Sequence, residues 1–151
     1  MERFILAYKD ASLSYKETKI KTAGPAQLVV MLYDEAVKQL TKAIELLEAD
    51  KEKKDPGRIE LISKAIMKTE EIITELMISL DFEQGGEIAK QLFSLYTWFN
   101  RELLEASIAQ DKDKMITVKQ LISELRNTWD SISQNAVEQP NREAIGINIA
   151  G

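Results

Sequence analysis

The side chains that most often carry out enzymatic chemistry are missing from this sequence. It contains no histidine, the commonest general base and metal ligand, and no cysteine, the source of disulfides, thiolate nucleophiles and many metal sites. Chemistry would have to rest on Asp, Glu, Lys, Ser and Tyr, and none of these occurs in a recognisable catalytic spacing. The adjacent Gly85 and Gly86 are not followed by Lys-Ser or Lys-Thr, as a phosphate-binding loop requires. We therefore predict a protein that is not an enzyme and uses no cofactor or metal.

The composition is that of one soluble domain. The 151 residues suffice for one core and are too few for two domains, and 44% hydrophobic with 30% charged residues is ordinary for a globular protein. The net charge of -5 argues against nucleic-acid binding, which requires a basic surface. Because no uncharged run approaches the roughly 20 apolar residues of a membrane span, and no signal peptide is recognisable, we expect a cytoplasmic protein that does not insert into membranes.

Apolar residues recur at three- and four-residue spacing through four long segments, which predicts helices. The segments cover about residues 25–48, 56–80, 87–110 and 112–137. Short connections place successive helices side by side in opposite directions, so we predict an all-α, antiparallel up-down four-helix bundle. The predicted core stripe of the third helix consists of Ile88, Leu92, Leu95, Phe99, Leu103 and Ala106.

Residues that favour helix ends agree with these boundaries. Asp55 precedes Pro56, which is the combination of a cap with a first-turn proline, and Asp111 is a candidate cap of the fourth helix. Gly85 and Gly86 provide the backbone freedom that the turn between the second and third helices needs.

Residues 1–24 precede the bundle as a predicted N-terminal capping arm. Phe4, Tyr8 and Tyr15 would share one edge of a short amphipathic helix, while the rest of the arm is basic and threonine-rich. This edge either pads the bundle core or reversibly covers an apolar groove intended for a partner. At the other end, we predict that residues 138–151 form a flexible tail.

Three blocks of residues form a distinctive pattern along the chain. The first consists of Tyr15, Ile20, Thr22, Ala23, Pro25, Leu28, Met31, Leu32, Tyr33 and Asp34. The second consists of Gly85, Gly86, Leu95, Tyr96, Asn100, Arg101, Leu104 and Ala106. The third consists of Leu125, Arg126, Trp129 and Ile132. In this order and with these spacings, across about residues 13–133, the pattern resembles the FliS family of flagellar export chaperones.

The resemblance implies a function and a partner. FliS proteins hold the disordered C-terminal segment of flagellin, which becomes helical as it wraps the bundle, so that flagellin does not polymerise before delivery to the type III export apparatus. The implied partner is therefore this flagellin segment, with components of the flagellar export gate as further partners. The family's N-terminal arm, including its Tyr, covers part of the binding surface when flagellin is absent. The expected oligomeric state is a monomer or a weak homodimer.

The pattern also predicts which residues bind the client or cap the binding surface. Tyr8 and Tyr15 are alternative capping residues, because both lie in a similar local sequence. The three aromatic candidates on the helices either line a groove or belong to the core. Asn100 and Arg101 either hydrogen-bond to the arm or the client, or are solvated. The full set is Tyr8, Tyr15, Ile20, Thr22, Leu28, Met31, Leu32, Tyr33, Tyr96, Phe99, Asn100 and Arg101.

Two other classes of function are alternatives to the chaperone. A helical scaffold that associates with itself, and has no secretion client, would also use wide apolar helix faces. A small carboxylate-dependent enzyme would need two close, buried carboxylates, and no spacing in the sequence indicates such a pair.

Overall fold

The computed structural model describes residues 25–50 and 55–138, and these residues form four α-helices. The helices are α1 (Pro25–Ala49), α2 (Pro56–Ile78), α3 (Phe82–Ala109) and α4 (Lys112–Glu138). Each helix packs against the next one along the chain, and α1 also packs against α4, so that the four helices surround one core. Short connections make sequential neighbours antiparallel. The predicted all-α four-helix bundle is confirmed. The predicted arm and residues 139–151 of the predicted tail lie outside the described residues, whereas Glu138 ends α4.

The helix starts show why the boundaries could be predicted locally. The side chain of Asp55 accepts a hydrogen bond of 3.0 Å from the backbone N–H of Gly57, and Pro56 occupies the first turn of α2. At the start of α4, the backbone N–H of Lys114 donates to the carboxylate of Asp111 at 3.2 Å. Both predicted caps are therefore confirmed.

The third helix begins at Phe82, five residues before the predicted start at residue 87. Asp81 caps it, because its Oδ1 accepts hydrogen bonds from the backbone N–H groups of Glu83 (2.9 Å) and Gln84 (3.1 Å). Gly86 then adopts φ 51° and ψ -126° and kinks the helix after its first turn. Glycine adopts this backbone conformation without the steric cost that a Cβ would bring. The two glycines were predicted to precede the helix. They lie within α3, and the kink occurs at Gly86.

The buried face of α3 differs slightly from the predicted core stripe. Ile88 was expected in the core of α3, but 41% of its surface is exposed. The buried face of α3 runs through Ala89, Leu92, Tyr96, Phe99, Leu103 and Ala106. At about 100° per residue, Ile88 and the half-buried Leu95 fall at the edge of this face. The predicted stripe is therefore rotated slightly about the helix axis relative to the observed buried face.

The core contains a buried hydrogen bond between two tyrosines from different helices. The hydroxyl groups of Tyr33 on α1 and Tyr96 on α3 lie 2.5 Å apart, and both side chains are almost completely buried. Trp129 of α4 is also buried in this core. The Tyr96 ring packs beside Phe99, with ring centroids 6.4 Å apart. One polar contact inside the apolar core therefore joins α1 to α3.

We expect Tyr33→Phe to lower the free energy of unfolding by about 1–3 kcal/mol, because the Tyr96 hydroxyl would lose its buried partner. The double variant Y33F/Y96F should lose less than the sum of the two single losses, by about 1 kcal/mol, since it leaves neither hydroxyl behind. Urea denaturation of the wild type, both single variants and the double variant measures this coupling. Strictly additive losses would contradict the interaction.

The same pair predicts sensitivity to high pH. Burial is the main cause that raises the pKa of both Tyr33 and Tyr96 above the ordinary value of 10.0. In the unfolded chain both hydroxyls ionise near pH 10, whereas in the fold they resist ionisation to higher pH. Their contribution is therefore complete below about pH 10 and is lost as the pH rises towards the folded-state values.

The free energy of unfolding should accordingly fall above about pH 10, and it should fall less steeply in Y33F/Y96F. Denaturation measured at a series of alkaline pH values tests this expectation. Equal pH dependence in the wild type and the double variant would show that the pair does not titrate with unfolding.

Candidate protein-binding surface

The structure places the aromatic candidates of the helices in the core. Tyr33, Tyr96 and Phe99 are almost completely buried, and Leu28 and Leu32 of α1 are buried as well. Their side chains fill the space that the helices enclose, because bulky residues on the inner faces are needed to pack it. For the three aromatic residues, burial agrees with the alternative of a place in the core, and a contact of any of the five residues with a client or the arm stays a prediction.

The N-terminal candidates cannot be placed in the same way. Tyr8, Tyr15, Ile20 and Thr22 lie outside the described residues, so their capping roles stay predictions. Met31 is half-buried on α1, and its contact with a client also stays a prediction.

Asn100 connects α3 to α2 on the outer side of the bundle. Its Nδ2 donates a hydrogen bond to Thr74 Oγ1 at 3.2 Å and lies 4.0 Å from the sulfur of Met77. Its Oδ1 is buried and has no hydrogen-bond partner. The neighbouring Arg101 is exposed, and its charge acts on the carboxylate of Glu105. The Asn100 side chain thus fixes the position of two helices and keeps one acceptor unused.

Apolar side chains lie exposed on both sides of this contact. On α3, Leu104 is 53% exposed and Ile108 is 78% exposed, and Phe93 lies on the same side of the helix. On α2, Met67 is 58% exposed, and Ile78 is exposed on the same side. The bond between Asn100 and Thr74 places these two rows next to each other. We call this surface the α2–α3 face and define it by Met67, Thr74, Ile78, Phe93, Asn100, Leu104 and Ile108.

An exposed aromatic pair extends the α2–α3 face at one end. The rings of Phe82 and Phe93 meet edge to face, with centroids 5.9 Å apart and planes at 66°. Phe82 belongs to the first turn of α3, which the kink at Gly86 sets at an angle to the rest of the helix. The kink therefore allows an aromatic ring to pack on the outside of the bundle.

The sequence carried a signal for this surface. Phe93, Thr97, Leu104 and Ile108 follow one another at helical spacing, and they lie on the side of α3 away from its buried stripe. An apolar row on the polar side of an amphipathic helix indicates a contact that folding alone does not use. The predicted core stripe describes one side of α3 only, so this second face was missed.

A shallow depression borders the α2–α3 face. It has a volume of about 330 Å³ and is lined by Met67, Glu70, Glu71, Thr74 and Glu75 of α2. Partial burial raises the pKa of the Glu70 carboxyl. One carboxylate oxygen of Glu75 is buried without a hydrogen-bond partner. The α2–α3 face is therefore apolar along its length and acidic at this edge.

Other charged clusters hold the helices together. Lys114 of α4 binds the carboxylates of Glu102 (3.2 Å) and Glu105 (3.1 Å) on α3. Arg126 of α4 donates to Asp34 of α1 at 2.8 Å. These pairs satisfy both charges and link neighbouring helices, so they are structural contacts.

Two further kinds of function lack support in the described residues. Within residues 25–50 and 55–138, no group of acidic side chains is arranged to hold a metal ion. None of the four helices there has the length and apolar character that crossing a membrane demands. An exposed apolar surface such as the α2–α3 face favours the binding of another polypeptide.

Comparisons with known proteins agree with a binding function. The family described as Flagellar protein FliS matches residues 7–136 of this chain. The chain is similar to the Flagellar secretion chaperone FliS of Salmonella typhimurium, with 34% identity over 139 residues that cover 91% of this chain and 96% of the relative. It is also similar to the protein of that name from Vibrio cholerae, with 30% identity over 87% of this chain and 90% of the relative.

A more distant relative spans nearly the same length. The Flagellar secretion chaperone FliS of Bacillus subtilis is 24% identical over 93% of this chain and 98% of the relative. The family is one of chaperones and not of enzymes, which confirms the prediction made from the missing catalytic residues. Since the family match covers most of the residues and the relatives align over almost their full lengths, the chain belongs to the FliS family of flagellar secretion chaperones.

Proposed function

We propose that this protein is a cytoplasmic chaperone that holds the C-terminal segment of flagellin until export. Membership of the FliS family gives it a role as a flagellar export chaperone, and its curated relatives carry the name of flagellar secretion chaperone. The proposal adds the identity of the client and the surface that binds it. Delivery to components of the flagellar export gate belongs to the same proposal.

The exposed apolar α2–α3 face is the observation that carries the proposal. An amphipathic client helix would bury Leu104, Ile108 and Met67, which the described fold leaves in water. Exposed apolar rows of this kind favour the docking of a helix by its own apolar side. A disordered segment that folds as it binds must recover its ordering entropy from a large contact, on the order of 1,000–3,000 Å². A client that wraps several helices of the bundle meets this requirement.

Binding of this kind explains how a chaperone prevents premature assembly. A client segment folded onto the bundle cannot use the same apolar residues to contact other flagellin subunits. Release would return the segment to a disordered state, which suits passage through a narrow export channel. The chaperone therefore needs an accessible apolar surface more than it needs a catalytic site.

A second copy of this chain is the alternative occupant of the α2–α3 face. Self-association through exposed apolar residues would make the protein a helical scaffold without a secretion client. Light scattering over a range of concentrations distinguishes the two functions, because a chaperone with an accessible surface remains a monomer or a weak dimer.

We predict that the variant M67Q/L104Q/I108Q binds the C-terminal segment of flagellin from the same bacterium at least about tenfold more weakly than the wild type does. The three substituted side chains are exposed, so the bundle should keep its stability. Calorimetric titration gives the affinity, and circular dichroism reports the helix that the client gains on binding.

The matched control is Leu61→Gln. Leu61 is also exposed on α2, at 44%, but it lies on a different side of the helix from Met67 and Ile78. This control should bind like the wild type. Equal affinities of the triple variant and the wild type would contradict the proposed surface, and an absence of binding to the wild type would contradict the proposed client.

The arm of residues 1–24 is proposed to compete with the client for the binding surface. An internal competitor lowers the apparent affinity by the fraction of molecules in which it is bound. Deleting residues 1–15 should therefore tighten client binding and increase the fluorescence of a dye that binds exposed apolar surface.

Substitution of single tyrosines tests which residue caps the surface. If Tyr15 is the cap, Tyr15→Ser should reproduce the effect of the deletion and Tyr8→Ser should not, and the reverse result would assign the role to Tyr8. Unchanged dye binding together with unchanged client affinity in the deletion variant would end the competition hypothesis.

A further inference from the structure

The first turn of α3 contributes nothing to the bundle core. Residues 82–88 include no buried residue, and the buried face of α3 begins only at Ala89. On the other side of this turn, Leu80 is buried. The chain is therefore fixed at Leu80 and at Ala89, while residues 82–85 between them lie on the outside of the bundle. A segment of this kind opens more easily than the packed helices do, because few buried contacts are lost.

The polar contacts of this turn stay within it. Oδ1 of Asp81 accepts hydrogen bonds from the backbone N–H groups of Glu83 and Gln84, and the N–H of Gly85 donates to the Asp81 carbonyl at 2.8 Å. In the part of the chain that the structure describes, no side-chain hydrogen bond or ion pair joins residues 81–86 to another helix. The turn can therefore move as one unit and keep its own hydrogen bonds.

Gly86 connects this unit to the rest of α3 through a joint that only glycine forms easily. Its φ of 51° and ψ of -126° are the non-helical angles inside α3, whereas Gly85 has no positive φ. A Cβ on Gly86 would meet no atom within 4 Å, so the backbone conformation and not the available space is what requires glycine. A single glycine between two rigid helical pieces is suited to act as a hinge.

The contact between Phe82 and Phe93 holds the turn in place. In a straight helix the 11 residues from one to the other would rise by about 16 Å, and both side chains would lean in the same direction. The ring centroids nevertheless lie 5.9 Å apart, so the kink folds the turn back against the helix. The rings are 47% and 42% exposed, which places their contact at the surface. An edge-to-face pair favours the closed arrangement by only about two- to tenfold.

We infer that residues 82–85 form a lid, which turns about Gly86 and is held closed by the contact of Phe82 with Phe93. The consequence for binding rests on the proposed function, because Phe93 belongs to the α2–α3 face that is assigned to the client. The closed lid occupies one side of the Phe93 ring, and opening makes that side accessible. The lid thus competes with the client, and it lowers the apparent affinity by the fraction of molecules in which it is closed.

The hinge is tested without a client by Gly86→Ala and its matched control, Gly85→Ala. Alanine at position 86 is strained at a φ of 51°, so the lid should leave the closed arrangement, whereas alanine at position 85 fits a helical turn. Nuclear magnetic resonance of protein with labelled phenylalanine rings reports the contact, because each ring shifts the signals of the other. The Phe93 signals should move in Gly86→Ala towards their positions in Phe82→Ala, and they should stay in place in Gly85→Ala. Unchanged Phe93 signals in Gly86→Ala would overturn the hinge.

The competition is tested by calorimetric titration with the C-terminal segment of flagellin. Phe82→Ala should bind about two- to tenfold more tightly than the wild type, because the closed state is lost, and Phe93→Ala should bind more weakly. In the Phe93→Ala background, Phe82→Ala should change nothing further, since the lid has already lost its contact. Ile88→Ala is the matched control. Ile88 is 41% exposed and lies roughly 140° around α3 from Phe93, so this variant should stay within about twofold of the wild type.

The outcomes separate the lid from the proposed function. If Phe82→Ala binds the segment more weakly, Phe82 is itself part of the binding surface, and the inference is overturned while the proposed client stands. Equal affinities of Phe82→Ala and the wild type would also refute a competing lid. If the wild type does not bind the segment, the proposed function fails, and the Phe93 signals of Gly86→Ala still decide whether the lid exists.

Discussion

The structure depends on a core that closes around the hydrogen-bonded tyrosines of α1 and α3. Tyr33 and Tyr96 are buried with Trp129 against them, and apolar side chains from all four helices complete the packing. Because the inner faces fill this space, the bundle has no structural need for the apolar residues on the outside of α2 and α3. Those residues can then serve another polypeptide.

Two apolar faces on one helix reconcile folding with binding. On α3, Leu103 packs in the core while the adjacent Leu104 is exposed. A helix with one apolar side would fold equally well but would present nothing to a client, whereas exposed apolar rows carry a risk of self-association.

Features of the fold that depend on residues close together in the sequence could be predicted, whereas features that depend on packing between helices could not. The four helices and the caps at Asp55 and Asp111 follow from spacing and side-chain type within a few residues, and they were predicted correctly. The start of α3 was missed because the Gly85–Gly86 pair was interpreted as a break, whereas Asp81 caps a turn before it. Ile88 lies at the edge between the buried and the exposed side of α3. Whether its side chain is buried is determined only by how the neighbouring helices pack.

The candidate surface was harder to predict than the fold. A wide apolar stripe does not reveal which of its members face inward, so Tyr33, Tyr96 and Phe99 could not be divided between core and groove from spacing. Their burial is decided by contacts between residues far apart in the sequence, such as the 63 positions that separate the two tyrosines. The motif pattern identified the family correctly because it records which residues occur together, without requiring a role for each one. It included Asn100, whose contact with Thr74 depends on how α2 and α3 pack.

The most direct test of the account is nuclear magnetic resonance of methyl-labelled protein titrated with the C-terminal segment of flagellin. The account predicts that the methyl signals of Met67, Leu104 and Ile108 shift as the segment binds and gains helicity. If the segment bound while these three signals stayed unchanged, and other methyl groups of the bundle shifted instead, the α2–α3 face would not be the binding surface.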